Sequence, residues 1–420
     1  MKKIVYMITT LFYPSIGGVE NHVYNISKGI INKGINVKII NPVINLRKNE
    51  IYNLEGIEVH RIAVGESEDE KKYLKYKNKS RQNLLGFFYG YRRKYYYNKF
   101  SSNIYKYIIM DIKKEKPDKF IFHQHDFISS IKLSKKLAKK YNVVFTNHTG
   151  EFLFLKKLPF HNFIIKRLTN HFKFIIAPSN ELADFNGIRD DNTYSFISNG
   201  VDVDKFSPVS NKEKNVLRDK YSIPQNKVVV ICPRRWAPTK GVIYLVRAIN
   251  ILINKYSIKN MIFVFAGNDY NDYPEYRSEI LNIINSKILS EFVYLQGNVD
   301  YNEMNELIKL SDIVAIPSLM EAISLSALEG MSCGKIVIGT NVGGFPQIIK
   351  NGWNGFLVKS ENEKELSEVI KYISEDIHKY INICKNARKF VESKYSWDYI
   401  VQMVIEIYEK FFNKGYYNEK

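Results

Sequence analysis

Short apolar runs alternate with amphipathic stretches along the whole chain. Each run is about four to seven residues long and is bounded by polar or turn-forming residues, as is typical of buried strands. We predict strands at 3–8, 37–40, 119–124, 142–147, 174–177, 194–198, 228–233, 261–267, 292–297, 312–317, 335–340 and 355–358. Between them, apolar residues recur every three or four positions, for example at 20–34 and 129–141, which predicts helices.

Strands that alternate with helices predict a parallel sheet whose two faces are both covered by helices. The alternation is interrupted near 197–208, where Asn-Gly and Ser-Pro pairs mark turns. We therefore predict an α/β fold with two doubly wound, Rossmann-like domains, 1–203 and 204–395, each of which binds ligands at the carboxyl ends of its strands. The segment 396–420 contains an amphipathic helix that follows the second sheet and is able to pack back on the first domain.

Cysteine usage and hydropathy limit the class of protein. The chain has 420 residues and three widely separated cysteines, with no Cys-x-x-Cys pair, which argues against a disulfide framework or a zinc site and for a reducing compartment. The apolar run at the N-terminus is short and is followed by Pro14, so we interpret it as a first strand rather than a signal peptide. No stretch approaches the ~18 apolar residues of a membrane span. The chain is expected to be cytoplasmic, either soluble or peripheral to a membrane.

The positive charge is concentrated in the first half of the chain. Residues 1–200 hold 34 basic and 17 acidic side chains, a net charge of +17, whereas residues 201–420 hold 28 and 26, a net charge of +2. Two windows, 71–106 and 152–168, combine basic and aromatic residues with no acid. This pattern suits an anionic membrane surface; nucleic acid and a generally basic composition are the alternatives.

Two glutamates, Glu321 and Glu329, flank the start of a short amphipathic helix in the second half. Glu321 lies after a predicted strand, where a carboxylate can accept hydrogen bonds from sugar hydroxyls. The backbone amides near Ile323, Ser324 and Leu325 open the helix and can hold a diphosphate against its positive end. Glu329 comes roughly 7.5 Å further along the helix, within reach of a ribose diol. The alternative is a surface helix with two solvated acids.

Arg234 and Lys240 lie in a loop between a strand and a helix and are able to point at the same diphosphate. The loop is not a Walker motif, since Gly-x4-Gly-Lys-Ser/Thr is absent. In the first half, Gly17 and Gly18 follow the first strand and open the first helix, where glycine lets backbone approach a phosphate or sugar. A tight turn explains these two glycines equally well. His148 lies at the end of a predicted strand, at the edge of the sheet where α/β proteins bind ligands. The alternative is a purely structural role.

Two patterns resemble metal sites, but we predict no metal. His123, His125 and Asp126 follow one another at a strand end, and we favour the interpretation that they are polar loop residues. Asp202 and Asp204 form an Asp-x-Asp sequence, which lies in the predicted interdomain segment 197–208.

Taken together, the motifs resemble the family-4 retaining glycosyltransferases of GT-B architecture over nearly the whole chain. The motifs are, in chain order, Gly-Gly-Val-Glu (17–20), His-Gln-His-Asp (123–126), Thr-Asn-His-Thr-Gly (146–150), Ala-Pro-Ser-Asn (177–180), Ser-Asn-Gly-Val-Asp (198–202), Arg-x5-Lys-Gly (234–241), Gln-Gly-Asn-Val (296–299), Glu-x7-Glu (321–329), Val-Gly-Gly (342–344) and Tyr-Ser-Trp (395–397). Two positions depart from the family: Ala-Ile-Ser at 322–324 replaces Gly-Phe-Gly, and Gln347 replaces a glutamate.

The resemblance implies a role for each matched residue. Arg234 and Lys240 would neutralise the leaving diphosphate, Glu321 would hold sugar hydroxyls and Glu329 the ribose. His148 would lie near the transferred sugar.

The remaining matches concern the donor. Gly18 would abut the donor phosphates or sugar, and the backbone at Val299 would hold the nucleobase. The fold implied is GT-B, with two domains that face a central cleft. The first domain is the acceptor side and the second binds the nucleotide sugar.

The implied activity is metal-independent, retaining transfer of a hexose or N-acetylhexosamine from a nucleoside-diphosphate sugar. A UDP-sugar is favoured as donor, and a lipid-linked or polysaccharide acceptor of surface-glycan synthesis as acceptor. No cofactor is implied, and the basic half would bind the inner face of the plasma membrane. The alternatives are a sugar-nucleotide epimerase of the same architecture, a basic nucleic-acid-binding protein and an inactive sugar-nucleotide binder.

Overall fold

The computed structural model describes residues 1–13, 18–66, 68, 71, 94–148, 151–267, 273–285 and 288–414. The chain divides into two units. The first comprises Met1–Ser198 and Ile400–Lys420, and the second comprises Asn199–Tyr399. The division after Ser198 falls inside the segment 197–208, which the sequence marks as a break.

The helices and strands alternate along most of the chain. The strands are β1 (Lys3–Ile8), β2 (Asn36–Ile44), β3 (Glu50–Leu54), β4 (Ile57–Val64), β5 (Lys119–Gln124), β6 (Val143–Thr146), β7 (Phe174–Ala177), β8 (Tyr194–Phe196), β9 (Val228–Pro233), β10 (Met261–Ala266), β11 (Val293–Gly297), β12 (Ile313–Ile316), β13 (Ile336–Thr340), β14 (Phe356–Val358) and β15 (Asn413–Lys414). The α-helices are α1 (Gly18–Asn32), α2 (Ser101–Glu115), α3 (Ile131–Leu137), α4 (Glu151–Leu155), α5 (His161–Thr169), α6 (Asn180–Ala183), α7 (Asn211–Lys220), α8 (Val242–Asn250), α9 (Pro274–Ile284), α10 (Tyr301–Leu310), α11 (Leu325–Ser332), α12 (Phe345–Ile348), α13 (Glu363–Glu375), α14 (Ile381–Lys394) and α15 (Trp397–Phe411). Shorter 3₁₀ helices lie at Tyr97–Phe100, Asp191–Thr193, Pro238–Lys240, Leu289–Glu291 and Ile377–Tyr380, and a π-helical turn at Ile251–Lys255 extends α8.

Each unit is built on one sheet. Within the described residues, the first sheet has nine strands in the order β3-β4-β2-β1-β5-β6-β7-β8, with β15 beside β5. It is parallel except where β3 pairs with β4 and β15 with β5. The second sheet is wholly parallel, in the order β11-β10-β9-β12-β13-β14. The predicted architecture of two doubly wound α/β domains is confirmed, and the hairpin β3–β4 is an addition that the sequence did not predict.

The strands of the second sheet are apolar on both faces, because helices cover both. In β9, Val229 and Ile231 belong to one buried cluster, whereas Val230 and Cys232 belong to the cluster on the opposite face. All four side chains are essentially inaccessible to solvent. With its faces filled, the sheet can present polar groups to a ligand only beyond the ends of its strands.

The last helix crosses from the second unit into the first. From Ile400 onward, α15 belongs to the first unit. There Tyr408 OH contacts His123 Nδ1 in β5, and the carbonyl of Phe411 accepts a hydrogen bond from Asn142 Nδ2 at 2.8 Å. His123 lies within the predicted strand 119–124 and is buried, so its interpretation as a polar loop residue is wrong. Tyr408 and Thr146 supply partners to both of its ring nitrogens. Among the described residues, no helix combines the length and apolar character needed to cross a bilayer.

Candidate functional site

The carboxyl ends of β9 and β12 place cationic and acidic side chains together. These strands are neighbours in the second sheet; Arg234 directly follows β9, and Glu321 lies in the loop after β12. Arg234 Nη2 donates to Glu321 Oε2, and the two side chains are only 10% and 11% exposed. Lys240 Nζ reaches the same oxygen at 3.1 Å, and Ser318 Oγ lies 3.3 Å from it. Glu321 Oε1, in contrast, has no hydrogen-bond partner among the described residues.

Ser324 connects this cluster to α11. Its Oγ accepts a hydrogen bond from Arg234 Nη2 at 2.8 Å and another from Ala327 N at 3.3 Å, which caps the helix. The sequence suggested a role for the backbone of Ser324 but gave no sign that its hydroxyl holds the arginine. Arg234 is therefore fixed by a carboxylate on one side and a helix cap on the other.

The start of α11 lies slightly later than the sequence indicated. Ser324 has the extended backbone of an N-cap, so Leu325 is the first helical residue and Ile323 precedes the cap. Leu328 N donates to Ser324 O at 3.1 Å, which leaves the amides of Leu325 and Ser326 ahead of the first helical hydrogen bond. An anion at this end of the helix is stabilised by those amides and by the helix dipole.

Two glycines let the loops of the site approach one another closely. Gly343 has φ +53°, and a Cβ there would lie 1.8 Å from the carbonyl oxygen of Glu321. Gly241 has φ +64°, and a Cβ there would lie 1.9 Å from the carbonyl oxygen of Pro317. Only glycine adopts these conformations at this separation without displacing the neighbouring backbone. The Lys-Gly and Val-Gly-Gly motifs therefore hold the Glu321 loop in place.

Glu329 lies in the second turn of α11 and is half-buried. Burial raises the pKa of Glu329 to about 7, although the charges of Arg234 and Lys205 lower it. Lys205 comes from the segment that follows the division between the units and was not identified from the sequence. The carboxyl group thus titrates near neutral pH.

The apolar residues predicted at the donor site pack their side chains against the core. Val299 lies between β11 and α10 and packs against the same buried cluster as Ile323 and Leu325. Asp300 begins α10 with a capping box to Glu303. The side chains of Val299, Ile323 and Leu325 are only partly buried.

The first unit gathers three histidines at the carboxyl end of its sheet. His148 follows β6, His125 follows β5 and His22 lies on α1. His148 Nε2 is 3.2 Å from His125 Nδ1, and the ring centroids of His148 and His22 are 4.6 Å apart. Burial lowers the pKa of both His125 and His148 well below 6.5. Gly18 is the first residue of α1, whereas Gly17 lies outside the described residues.

The Asp-x-Asp sequence has a structural role. Asp202 Oδ1 accepts a hydrogen bond from Lys205 N at 2.9 Å and so begins a turn. Two groups of side chains within the described residues have metal-site spacing, His22 with His125 and His148, and Glu58 with His60 and Asp111; neither contains Asp202 or Asp204.

The structure describes the basic and aromatic window 152–168 and only a part of the window 71–106. Residues 72–93, which make up most of the window 71–106, lie outside the described residues. The window 152–168 forms α4, a turn and most of α5. There Phe160 and Phe163 are 83% and 67% exposed. Two large aromatic side chains therefore project from a basic surface.

Two family models match the chain. The model described as Glycosyltransferase Family 4 matches residues 16–205, and the model described as Glycosyl transferases group 1 matches residues 213–390. The matches follow one another along the chain, the first over most of the first unit and the second within the second unit.

Named relatives agree with these matches. An uncharacterized glycosyltransferase of Methanocaldococcus jannaschii is 30% identical over 215 residues, which are 51% of this chain and 53% of that protein. The UDP-Gal:alpha-D-GlcNAc-diphosphoundecaprenol alpha-1,3-galactosyltransferase of Escherichia coli is 27% identical over 218 residues, which are again 51% and 53%. The chain thus spans about half the length of these two relatives.

A solved structure extends the likeness to the whole chain. The crystal structure of Anabaena HepE in complex with UDP has a TM-score of 0.70 and 18% identity, and the comparison covers 98% of this chain and 100% of that one. At this identity the likeness shows the fold alone. The two family matches and the shared fold show that the chain belongs to the family-4 glycosyltransferases of GT-B architecture, as its motifs predicted.

Proposed function

We propose that the chain is a metal-independent, retaining glycosyltransferase that transfers a hexose or N-acetylhexosamine from a nucleoside-diphosphate sugar to a lipid-linked or polysaccharide acceptor of surface-glycan synthesis. The observation that carries the proposal is the cluster of Arg234, Lys240 and Glu321 beside the first turn of α11. Cations and free amides that are already held in place stabilise a departing diphosphate without further reorganisation. A UDP-sugar is the favoured donor, since the relative from Escherichia coli is named for UDP-galactose.

The geometry supports a division of labour within the cluster. Arg234 and Lys240 bind the leaving diphosphate, while Glu321 orients both cations through Oε2 and accepts a sugar hydroxyl through Oε1. Contacts of this kind raise kcat when they strengthen as the diphosphate departs. His148, in the first unit, is proposed to lie near the transferred sugar.

The remaining residues are proposed to bind the donor. Glu329 holds the ribose, the backbone at Val299 holds the nucleobase, and Gly17 and Gly18 allow close approach of the phosphates. The contacts to the ribose and the nucleobase do not change much as the sugar is transferred, so the loss of the Glu329 contact should raise KM more than it lowers kcat.

The first experiment combines a donor screen with variants of the cationic residues and a matched control. Thermal shifts with UDP, GDP, ADP and their sugars identify the donor, and turnover is then measured with and without EDTA. Arg234→Ala and Lys240→Ala are expected to lower kcat about 100- to 1,000-fold. Arg235→Ala is the control, because Arg235 is the adjacent residue and is exposed.

The outcomes separate the alternatives. Equal rates in all three variants would contradict the assignment of the leaving-group site, and loss of activity in EDTA would contradict metal independence. A change in the configuration of the donor sugar, with no transfer to an acceptor, would favour an epimerase. A preference for RNA over anionic vesicles would favour the nucleic-acid-binding alternative.

The membrane part of the proposal rests on α4, α5 and the turn between them. Phe160 and Phe163 are exposed beside Lys157, Lys166 and Arg167. Basic residues near an anionic bilayer contribute about 1 kcal/mol each, and exposed aromatic rings add a component that salt does not screen. The acceptor named for the relative from Escherichia coli carries a diphosphoundecaprenol. We propose that this chain likewise takes a lipid-linked acceptor and works on the inner face of the plasma membrane.

Vesicle binding tests this part separately. Replacement of Phe160 and Phe163 by serine is expected to abolish the salt-resistant fraction of binding to vesicles with anionic lipid. The control is Met110→Ser, because Met110 is 71% exposed in the same unit but lies outside the basic window. Equal loss of binding in the two variants would show that general surface hydrophobicity, rather than this surface, binds the vesicles.

A further inference from the structure

Three histidines of the first unit form a cluster that is larger than the proposed transfer reaction requires. His22 comes from α1, and His125 and His148 follow the adjacent strands β5 and β6. One ring nitrogen of each lies within 4.8 Å of the corresponding atoms of the other two. The proposed function uses only His148, so the convergence of the other two needs its own explanation.

We propose that His22, His125 and His148 form a binding site for a transition-metal cation of the zinc class. Zn–N bonds of about 2.0–2.1 Å in a tetrahedral site place the nitrogens roughly 3.4 Å apart. The His125–His148 pair, at 3.2 Å, already has this separation. The third nitrogen lies within 4.8 Å of these two, and metal binding would draw it closer. Three imidazoles suit Zn²⁺, Cu²⁺, Ni²⁺ and Co²⁺ but not Mg²⁺, which prefers oxygen.

The backbone that carries two of the three histidines is held in place. The backbone is fixed by neighbouring strands, since His125 N donates to Ile8 O at 2.9 Å and Asn147 N to Ile176 O at 2.7 Å. A site held in this way loses little conformational entropy when the metal binds.

The other group with metal-site spacing shows why the histidine cluster is distinctive. Glu58, His60 and Asp111 also lie close together, but Lys38 Nζ is 2.9 Å from Glu58 and 3.0 Å from Asp111. An ammonium group therefore already neutralises that group. The histidine cluster contains no carboxylate or ammonium group, so its three ring nitrogens would leave the fourth tetrahedral position open.

A metal at this site would act on the enzyme as an inhibitor. This consequence rests on the proposed function, in which His148 lies near the transferred sugar, whereas metal binding itself does not. A cation held by His148 would occupy that ring and the space beside it. Activity would then be metal-independent yet sensitive to added Zn²⁺, and EDTA would restore it.

Binding is tested on the full chain with Co²⁺ and Zn²⁺. We expect one equivalent of Co²⁺ to give the intense visible absorption of a tetrahedral site, and Zn²⁺ to displace it. His22→Gln and His148→Gln should each weaken Zn²⁺ binding at least ~100-fold, because changes to residues that only support a metal ligand can already weaken binding by that factor. His378→Gln is the control, since His378 is exposed in the second unit.

Each outcome decides the proposal. Weak octahedral absorption, less than one equivalent of Co²⁺, or equal Zn²⁺ affinity in the four proteins would overturn it. The wild-type spectrum needs no variant, so a variant that fails to fold does not prevent the test. If no sugar transfer is detected under any condition while the tetrahedral spectrum appears, the proposed function fails and the metal site stands. Zn²⁺ binding without inhibition would overturn only the inhibitory role.

Discussion

Burial opposes the ionisation of Glu329, the residue proposed to hold the ribose, and this conflict can be measured. Burial raises the pKa of Glu329 from 4.5 to about 7, against the charges of Arg234 and Lys205. One pKa unit corresponds to about 1.4 kcal/mol, so the ionised carboxylate costs the folded state at most about 3 kcal/mol at pH 8. The folded chain binds the proton more tightly than the unfolded chain. The contribution of this proton to the free energy of unfolding is therefore fully present below pH 4.5 and is lost as the pH rises through 7.

The variant Glu329→Gln isolates this effect, because glutamine resembles the protonated carboxyl group at every pH. We expect the variant to exceed the wild type in free energy of unfolding by up to about 3 kcal/mol at pH 8 and by less than about 1 kcal/mol at pH 5. Urea denaturation at both pH values measures the difference. Glu368→Gln, a change at an exposed position on α13, should leave the free energy of unfolding nearly unchanged at both.

The same variant should bind the donor less well. If the ionised Glu329 accepts hydrogen bonds from ribose, the wild-type KM for the donor should fall between pH 6 and pH 8. In Glu329→Gln this KM should be higher and should not change over the same range. A gain in stability that accompanies a loss of donor affinity would mark Glu329 as a residue kept for function. The reasoning fails if Glu329→Gln is less stable than the wild type at pH 8, or if the difference between them does not change with pH.

Two further predictions concern the framework. Lys38→Met should lower the free energy of unfolding by about 3–5 kcal/mol, because it removes the ion-pair partner of the buried Asp111 carboxylate. Lys28→Met removes only an exposed ion pair and should cost about 0–1 kcal/mol. Urea denaturation compares the two variants, and equal losses would contradict the argument. Gly343→Ala should reduce turnover far more than Gly352→Ala. Both glycines have positive φ, but only at Gly343 would a Cβ press against the carbonyl of Glu321. Similar kcat values in the two variants would show that the Glu321 loop tolerates displacement.

The strands that are buried on both faces could be predicted from the sequence, because burial requires continuous apolar runs. The run 228–233 is an example, and it became β9 with the predicted bounds. The hairpin β3–β4 escaped prediction because β3 is half-exposed: in Glu50–Leu54, partly buried residues alternate with exposed ones, and no apolar run results. A strand at the edge of a sheet carries a weaker pattern than a central one.

The positions of the site residues followed from the rule that ligands bind at strand ends, but their partners did not. Arg234 and Glu321 could be placed at the carboxyl edge of one sheet because each follows an apolar run. The hydroxyl of Ser324 reaches Arg234 only because β9 and β12 are neighbours, and strand order is not encoded locally. His22 was overlooked for the same reason, since its helix meets β5 and β6 only in the folded unit.

The charge pairs explain how the site can exist before the donor arrives. Two cations at a helix N-terminus would repel one another, and Glu321 Oε2 relieves this by accepting hydrogen bonds from both. Arg234 Nε is nevertheless buried without a hydrogen-bond partner in the described part of the chain, and an unsatisfied donor of this kind costs about 1–3 kcal/mol. A diphosphate that draws the guanidinium toward itself would compete with Glu321 for that charge. In the proposed function, donor binding would therefore exchange partners within a preformed cluster and release the carboxylate toward the sugar.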